Sequence, residues 1–338
     1  MKKVLIVQTA FAGDVVLVTP LVQAVKKLIP ESQLYFLVKP EAAVLLENNA
    51  LIDRVWIYDK RGKEKGLRSF LKSVRRIRKE KIDLALVPHR SIRSALLVSI
   101  ARIPKRIGFD RSAGFPLFTN LVRYRVGLHE VERNLELLKP LGWKGKATAP
   151  ELYPGENERE AVARFMEKND LTGRTIMAVS PGSVWYTKRW LPERFAEVIR
   201  FFYEKKGIPS ILIGGRNDLE IGREIEKYCS VVNGMGQFSL LASAELIRQC
   251  RVIVCNDSAP LHLAVAAGTP VIAIFGPTVP GFGFYPWGRG HTIIQQELVC
   301  RPCSDHGGDR CPMHHFDCMK SIKAEQVIQA VDRTMNAE

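Results

Sequence analysis

Three short stretches carry the residues best suited to chemistry: TAFAGDVVLVTP (9–20), SPGSVWYTKRWLPERF (180–195) and NDSAPLHLAV (256–265). In the first, Asp14 follows the apolar run Val4–Val7 and the small pair Ala12-Gly13. A carboxylate just past a first buried strand either caps the helix that follows or faces a ligand, because open α/β sheets bind ligands at the carboxyl ends of their strands. In the second, Ser183 and Lys188 lie in a turn ahead of a helix opened by Pro192, and together they would hold a phosphate, the lysine as a point charge. The plainer alternative there is a turn with a surface lysine. In the third, a strand ends at Asn256-Asp257 and a helix starts near Pro260, so unpaired N–H groups offer an anion site. Ser258 and Ala259 are small enough to let a diphosphate approach that backbone, and His262 lies one turn into the helix. The alternative is structural: Asp257 or Ser258 caps the helix and His262 packs. A fourth stretch, LIGGRNDLE (212–220), offers Asp218 or Glu220 to a ribose.

The elements that must position these residues alternate. Apolar runs at 4–7, 34–38, 54–58 and 82–87 are separated by helical patterns, including a basic helix over 66–80 and another over 91–101. After the Pro/Gly/Glu-rich stretch 149–158 a second series begins: strands at 175–180, 210–215, 252–255 and 270–276, with helices at 192–206, 218–228 and 260–267. Runs of this length separated by helices predict βαβ units and parallel sheets. The expected architecture is α/β, two doubly wound domains: 1–155, then 172–318, with helix 156–169 near the junction. The apolar spacing of Ile322, Val327, Ile328 and Val331 predicts a last helix in 319–338 that can pack back on the first domain.

Length agrees with two domains, since 338 residues exceed one comfortable core. The net charge of +15 is concentrated: residues 60–133 hold twenty Lys/Arg against six Asp/Glu, a net +14. Such a tract attracts a polyanion, whether nucleic acid, an anionic membrane surface or a phosphorylated substrate; the plainer alternative is a solvated helix face. Few aromatics interleave the basic residues and no helix-turn-helix, zinc-finger or RRM signature is present, which disfavours nucleic acid. No apolar run is long enough to span a bilayer, and the apolar start is broken by Gln8 as a signal peptide would not be, so the expected location is the cytoplasm. G-x-G-x-x-G, Walker A and G-x-S-x-G patterns are absent, which disfavours a nicotinamide or flavin domain, a P-loop ATPase and an α/β-hydrolase.

Taken in order, AGDVVLVTP, PGSVWYTKRWLPERF and NDSAPLHLAVAAGTPVIAIFGPT resemble the ADP-heptose:lipopolysaccharide heptosyltransferases, inverting glycosyltransferases of the GT-B fold. The segment 300–327 looks more like heptosyltransferase II than heptosyltransferase I. The resemblance implies Asp14 as general base toward an acceptor hydroxyl. It implies that Lys188 and the helix start at 258–260 neutralise the leaving diphosphate where other transferases use a D-x-D metal site, with no metal and no cofactor. By the same analogy Ser183 touches phosphate, Asp257 and His262 lie near the donor sugar, Phe238 flanks adenine, and Asp218 reaches the ribose. The implied partners are an ADP-heptose donor and the anionic inner core of lipopolysaccharide, met at the cytoplasmic face of the inner membrane by the basic tract. A different nucleotide sugar, or heptosyltransferase I activity on Kdo-lipid A, is the competing expectation.

Four of seven cysteines are clustered at 300, 303, 311 and 318, amid His306, His314 and His315. Structural zinc, reduced thiols packing a loop, and redox-linked pairs all fit that spacing.

Overall fold

The computed structural model describes residues 1–59 and 66–337. Positions 60–65 of the basic tract lie outside the described residues. Contacts divide the chain into two compact units, Met1–Tyr153 and Pro154–Glu338.

In the first unit the elements are β1 (Lys3–Gln8), α1 (Ala12–Leu17), α2 (Thr19–Leu28), β2 (Gln33–Val38), α3 (Pro40–Ala43), β3 (Arg54–Ile57), α4 (Leu67–Glu80), β4 (Leu84–Val87), α5 (Ile92–Ile100), β5 (Lys105–Phe109), β6 (Asn120–Val122) and α6 (Glu130–Glu136). The strands form one parallel sheet in the order β3-β2-β1-β4-β5-β6. Val4–Val7 and Leu84–Val87 are buried on both faces, as continuous apolar strands of a helix-covered parallel sheet should be. Between β2 and β3 the chain forms only α3 and a single 3₁₀ turn, Val44–Leu46. The small pair Ala12-Gly13 opens the first turn of α1.

The second unit runs α7 (Glu156–Lys168), β7 (Met177–Ser180), α8 (Pro192–Lys206), β8 (Ser210–Leu212), α9 (Leu219–Glu226), β9 (Val232–Asn233), α10 (Leu240–Arg248), β10 (Val252–Asn256), α11 (Ala259–Ala267), β11 (Val271–Phe275), β12 (Thr292–Gln295), α12 (Asp317–Lys320) and α13 (Ala324–Asn336). Its parallel sheet has the order β12-β11-β10-β7-β8-β9. In both sheets the strand order reverses between two central strands, β1 and β4 in one, β7 and β10 in the other. These are the switch points at which diverging loops leave room for ligands.

The expected last helix forms as α13. Ile322, Val327 and Val331 are fully buried in the second unit's own core, with Val198, Phe202 and Ile272, and Ile328 packs against the same cluster. The apolar face of α13 thereby packs on α8 and on the second unit's own sheet.

Candidate active site

The second switch point builds a charged centre from three loops. Lys188 sits in a 3₁₀ turn, Tyr186–Lys188, between β7 and α8. Its Nζ donates to Asp257 Oδ2 at 2.6 Å, and Thr278 Oγ1 donates to the same oxygen at 2.6 Å. Asp257 stands just past β10 and Thr278 just past β11, so adjacent strand ends supply the carboxylate and hydroxyl that orient the lysine. Only 12% of the lysine side chain and 7% of the aspartate is exposed, so the pair is screened little by water or salt. Asn256 locks the two central strands together: its Nδ2 donates to Pro181 O at 2.7 Å and its Oδ1 accepts from Trp190 N at 3.0 Å. Trp190 is buried and its Nε1 donates to Ile322 O at 3.2 Å, which anchors the turn to the floor of the unit.

The lysine turn is braced from outside as well. Thr187 Oγ1 donates to Gly308 O at 2.9 Å and accepts from Gly308 N at 2.8 Å. Gly307 has φ +89°, and a Cβ there would lie 3.1 Å from Lys188 Cγ and from Trp185 Cβ. The glycine is therefore required by conformation and by approach. Arg301 donates to the carbonyls of Gly276 and Thr278, holding the β11 end that carries the Thr278 hydroxyl. Cys303, Cys311 and Cys318 line a cavity of about 110 Å³ behind Thr187. Burial pushes the Cys318 thiol up to about 11 and raises that of Cys303. All seven cysteines are unpaired, and no group of three or more His, Cys, Asp and Glu is arranged to hold a metal ion among the described residues.

The remaining candidates fall around this centre to different degrees. Helix α11 starts with Ser258 as N-cap in extended conformation; no side chain caps it, and Ser258 Oγ turns to Asn256 O at 3.4 Å. The nine-residue helix thus presents its N-terminus next to Asp257, with Ala259 and Pro260 in its first turn and His262 buried. Ser183 is buried, and its carbonyl accepts from Arg189 Nε at 2.8 Å. Asp218 accepts from Gly215 N at 2.9 Å and presses on the β7 loop, where a Cβ on Gly182 would lie 2.3 Å from its Oδ1. It lies at the correct strand ends, with one carboxylate oxygen already committed to the backbone. Phe238 lies edge-on to Phe165, ring centroids 5.1 Å apart. Sequence reading assigned no functional role to Asn256, Thr187 and Thr278, although each lies in a quoted stretch, and it left Arg301 unremarked.

In the first unit Asp14 is the third residue of α1, and its Oδ2 accepts from Phe11 N at 3.1 Å. It therefore does close the helix start, with Phe11 as the N-cap, and it does so at the switch point. Across the sheet, Thr9 Oγ1 at the end of β1 meets His89 Nδ1 at 3.0 Å, and that nitrogen meets Ser94 Oγ at 3.1 Å.

The sequence model of glycosyltransferase family 9 (heptosyltransferase) matches residues 70–313. The chain belongs to glycosyltransferase family 9. Among relatives of this family 9 protein, lipooligosaccharide heptosyltransferase 2 of Campylobacter jejuni is 24% identical over 98% of each chain. Lipopolysaccharide heptosyltransferase 3 of Escherichia coli is 28% identical, covering 96% of this chain and 97% of its own. The structure of E. coli ADP-heptose lps heptosyltransferase II superposes with a TM-score of 0.79 at 22% identity, covering 99% of this chain and 98% of the other. The family 9 chain has the GT-B fold expected from the sequence.

Proposed function

We propose that the protein is an inverting, metal-independent heptosyltransferase that moves heptose from an ADP-heptose donor to the lipopolysaccharide inner core, adding the second heptose onto the first. The observation that carries this reading is Lys188, held by Asp257 and Thr278 beside the uncapped start of α11. An ammonium and a helix N-terminus, both fixed in place, suit a leaving diphosphate. In the reaction the acceptor hydroxyl oxygen attacks the anomeric carbon from the face opposite ADP, through an oxocarbenium-like transition state. Asp14 takes the hydroxyl proton, the bond from carbon to the diphosphate oxygen breaks, and ADP leaves with the electron pair. Ser183 assists at phosphate, Asp257, Ser258, Ala259 and His262 frame the donor sugar and diphosphate, and Phe238 and Asp218 are assigned to adenine and ribose. The basic tract orients the enzyme on the anionic glycolipid at the cytoplasmic face of the inner membrane.

The experiment is transfer from ADP-heptose, in EDTA, to Kdo-lipid A and to the same acceptor already bearing one heptose. Transfer only to the second acceptor is expected. Transfer to the first reassigns the enzyme as heptosyltransferase I, and inactivity with both argues for another nucleotide sugar. The relative named heptosyltransferase 3 favours a second reading, transfer at another heptose position, which a larger core acceptor tests.

A further inference from the structure

The cysteine-rich loop lies against both arms of the charged centre. On the lysine side, segment 301–308 meets the 3₁₀ turn of Lys188 through Gly308. Besides its two bonds with the Thr187 hydroxyl, Gly308 accepts at its carbonyl from Thr187 N at 3.0 Å. Thr187 is 3% exposed, and Tyr186 beside it stacks on Phe316 with centroids 5.8 Å apart. The glycines are presented by a turn closed on itself: Ser304 Oγ accepts from Gly307 N at 2.8 Å and donates to Gly307 O at 3.0 Å. On the hydroxyl side the same segment grips the end of β11. Cys303 N donates to Pro277 O at 3.0 Å, Arg301 Nη2 to Thr278 O at 2.8 Å, and the guanidinium also bonds Gly276 O and Gln296 O. One short segment thus ties the backbone under Lys188 to the backbone under Thr278, the two side chains that donate to Asp257 Oδ2.

We infer that segment 301–308 is a bracket that positions the Lys188 ammonium for the donor diphosphate, with Thr187 and Arg301 as its positioning residues. This rests on Lys188 serving the leaving group, as proposed above. A single 3₁₀ turn has too few internal bonds to hold its own place, and Trp190 anchors only its far end. A lysine stem is long and flexible, so Asp257 fixes where the ammonium points only while the backbone carrying it stays put. The bond between Thr187 and Gly308 supplies that constraint one residue ahead of Lys188, and Arg301 supplies the matching one beneath Thr278. The Thr187 hydroxyl donates to and accepts from Gly308, so its route to the chemistry runs through Lys188. Its loss should therefore be felt where charge grows on the diphosphate, in the transition state, more than in ground-state binding.

The test is a double-mutant cycle in the full chain, read by transfer from ADP-heptose. Thr187→Val is expected to lower kcat about 10-fold and to change KM for ADP-heptose less than about 3-fold, with Thr187→Ser restoring most of kcat. In the Lys188→Ala background, Thr187→Val is expected to cost nothing further, because its route to the chemistry is gone. Additive losses, or a Thr187→Val enzyme with native kcat, overturn the inference. A native kcat in Lys188→Ala, or a native chain inactive with ADP-heptose, overturns the donor-site reading instead. A measurement without substrate then decides: hydrogen exchange of the Lys188 ammonium by nitrogen-15 NMR, its signal assigned by its loss in Lys188→Ala. Exchange about 10-fold faster in Thr187→Val supports the bracket, and unchanged exchange refutes it. If Thr187→Val fails to fold, Gly307→Ala, whose Cβ would press on Lys188 Cγ, replaces it in both measurements.

Discussion

Lys188 gives one of its three N–H donors to Asp257, and in the proposed reaction the donor chemistry depends on what the ammonium can offer a diphosphate after that. Asp257 and Thr278 hold the charge in place before any substrate arrives, so the cost of orienting it is met in folding rather than at the transition state. Removing either end of the pair has different consequences. Lys188→Ala deletes the positive charge and should lower kcat/KM by about 10²- to 10³-fold in a transfer assay, while circular dichroism stays native. Asp257→Ala leaves a buried ammonium unpaired and should cost about 3–5 kcal/mol in urea unfolding. ADP should return part of that loss, because its phosphates replace the missing carboxylate. Thr278→Val keeps the pair and removes one hydrogen bond to a charged acceptor, so a smaller loss of about 1.5–3 kcal/mol is expected by the same measurement. The sequence displayed Lys188 and Asp257 but not their bond, since they are 69 positions apart and each had a plain alternative as a surface charge or a helix cap. Glu130, the first residue of α6 and ion-paired with Arg133, was hidden in the opposite way. HEVER reads as an exposed helix start, and only the fold reveals that Glu130 and Arg133 are interior.

At the scale of elements, α4 and α6 show how pattern and packing divide the information. Helix α4 places Val74 and Ile77 in the core and leaves Arg68, Lys72, Arg75, Arg76, Arg78 and Lys79 exposed, as its spacing predicts. In the proposed docking these exposed charges would face an anionic surface, at about 1 kcal/mol each near the membrane. The double change Arg75→Glu with Arg76→Glu should weaken sedimentation with phosphatidylglycerol vesicles by 10-fold or more; unchanged binding would remove α4 from the docking face. Helix α6 makes a pH prediction, because burial raises the carboxyl of Glu130. A carboxyl raised to about 7 when folded, against 4.5 when exposed, binds its proton more tightly in the native state, so its contribution to stability falls as pH rises from 4.5 through 7. Urea unfolding at pH 5 and pH 8 should therefore show a smaller difference in Glu130→Gln than in the native chain. The central strands and α8 were legible because long apolar runs and a proline start leave few alternatives. Strands β6 and β9 were not, being three and two residues long. Strand β5 opens on Lys105 and Arg106, whose charges interrupt the run, and the destination of α13 depends on a groove that no local pattern encodes.

At the scale of the whole molecule, the two units share a topology and differ in how their charge is held. The first carries most of the excess positive charge, spread over exposed side chains; the second holds Lys188 inside a bonded site where solvent reaches little of it. The two should therefore respond differently to salt. Exposed charges are screened beyond about 10 Å at 0.1 M ionic strength and beyond about 3 Å at 1 M, while a buried pair is affected much less. Raising sodium chloride from about 0.05 M to about 0.5 M is expected to release the protein from anionic vesicles. The thermal shift produced by saturating ADP should persist across the same range, because at 100 times its dissociation constant a ligand adds about 2.7 kcal/mol whatever the fate of the distant basic face. UDP should give a much smaller shift at equal concentration if adenine is recognised, and Lys188→Ala should abolish the shift by ADP. If salt removed both responses in parallel, the diphosphate would be bound by exposed charges, and the Lys188 site would lose its place as the donor centre. If salt removed neither, the basic tract would be a solvated face with no anionic partner, and docking on the glycolipid would have to rest on the acceptor sugars alone.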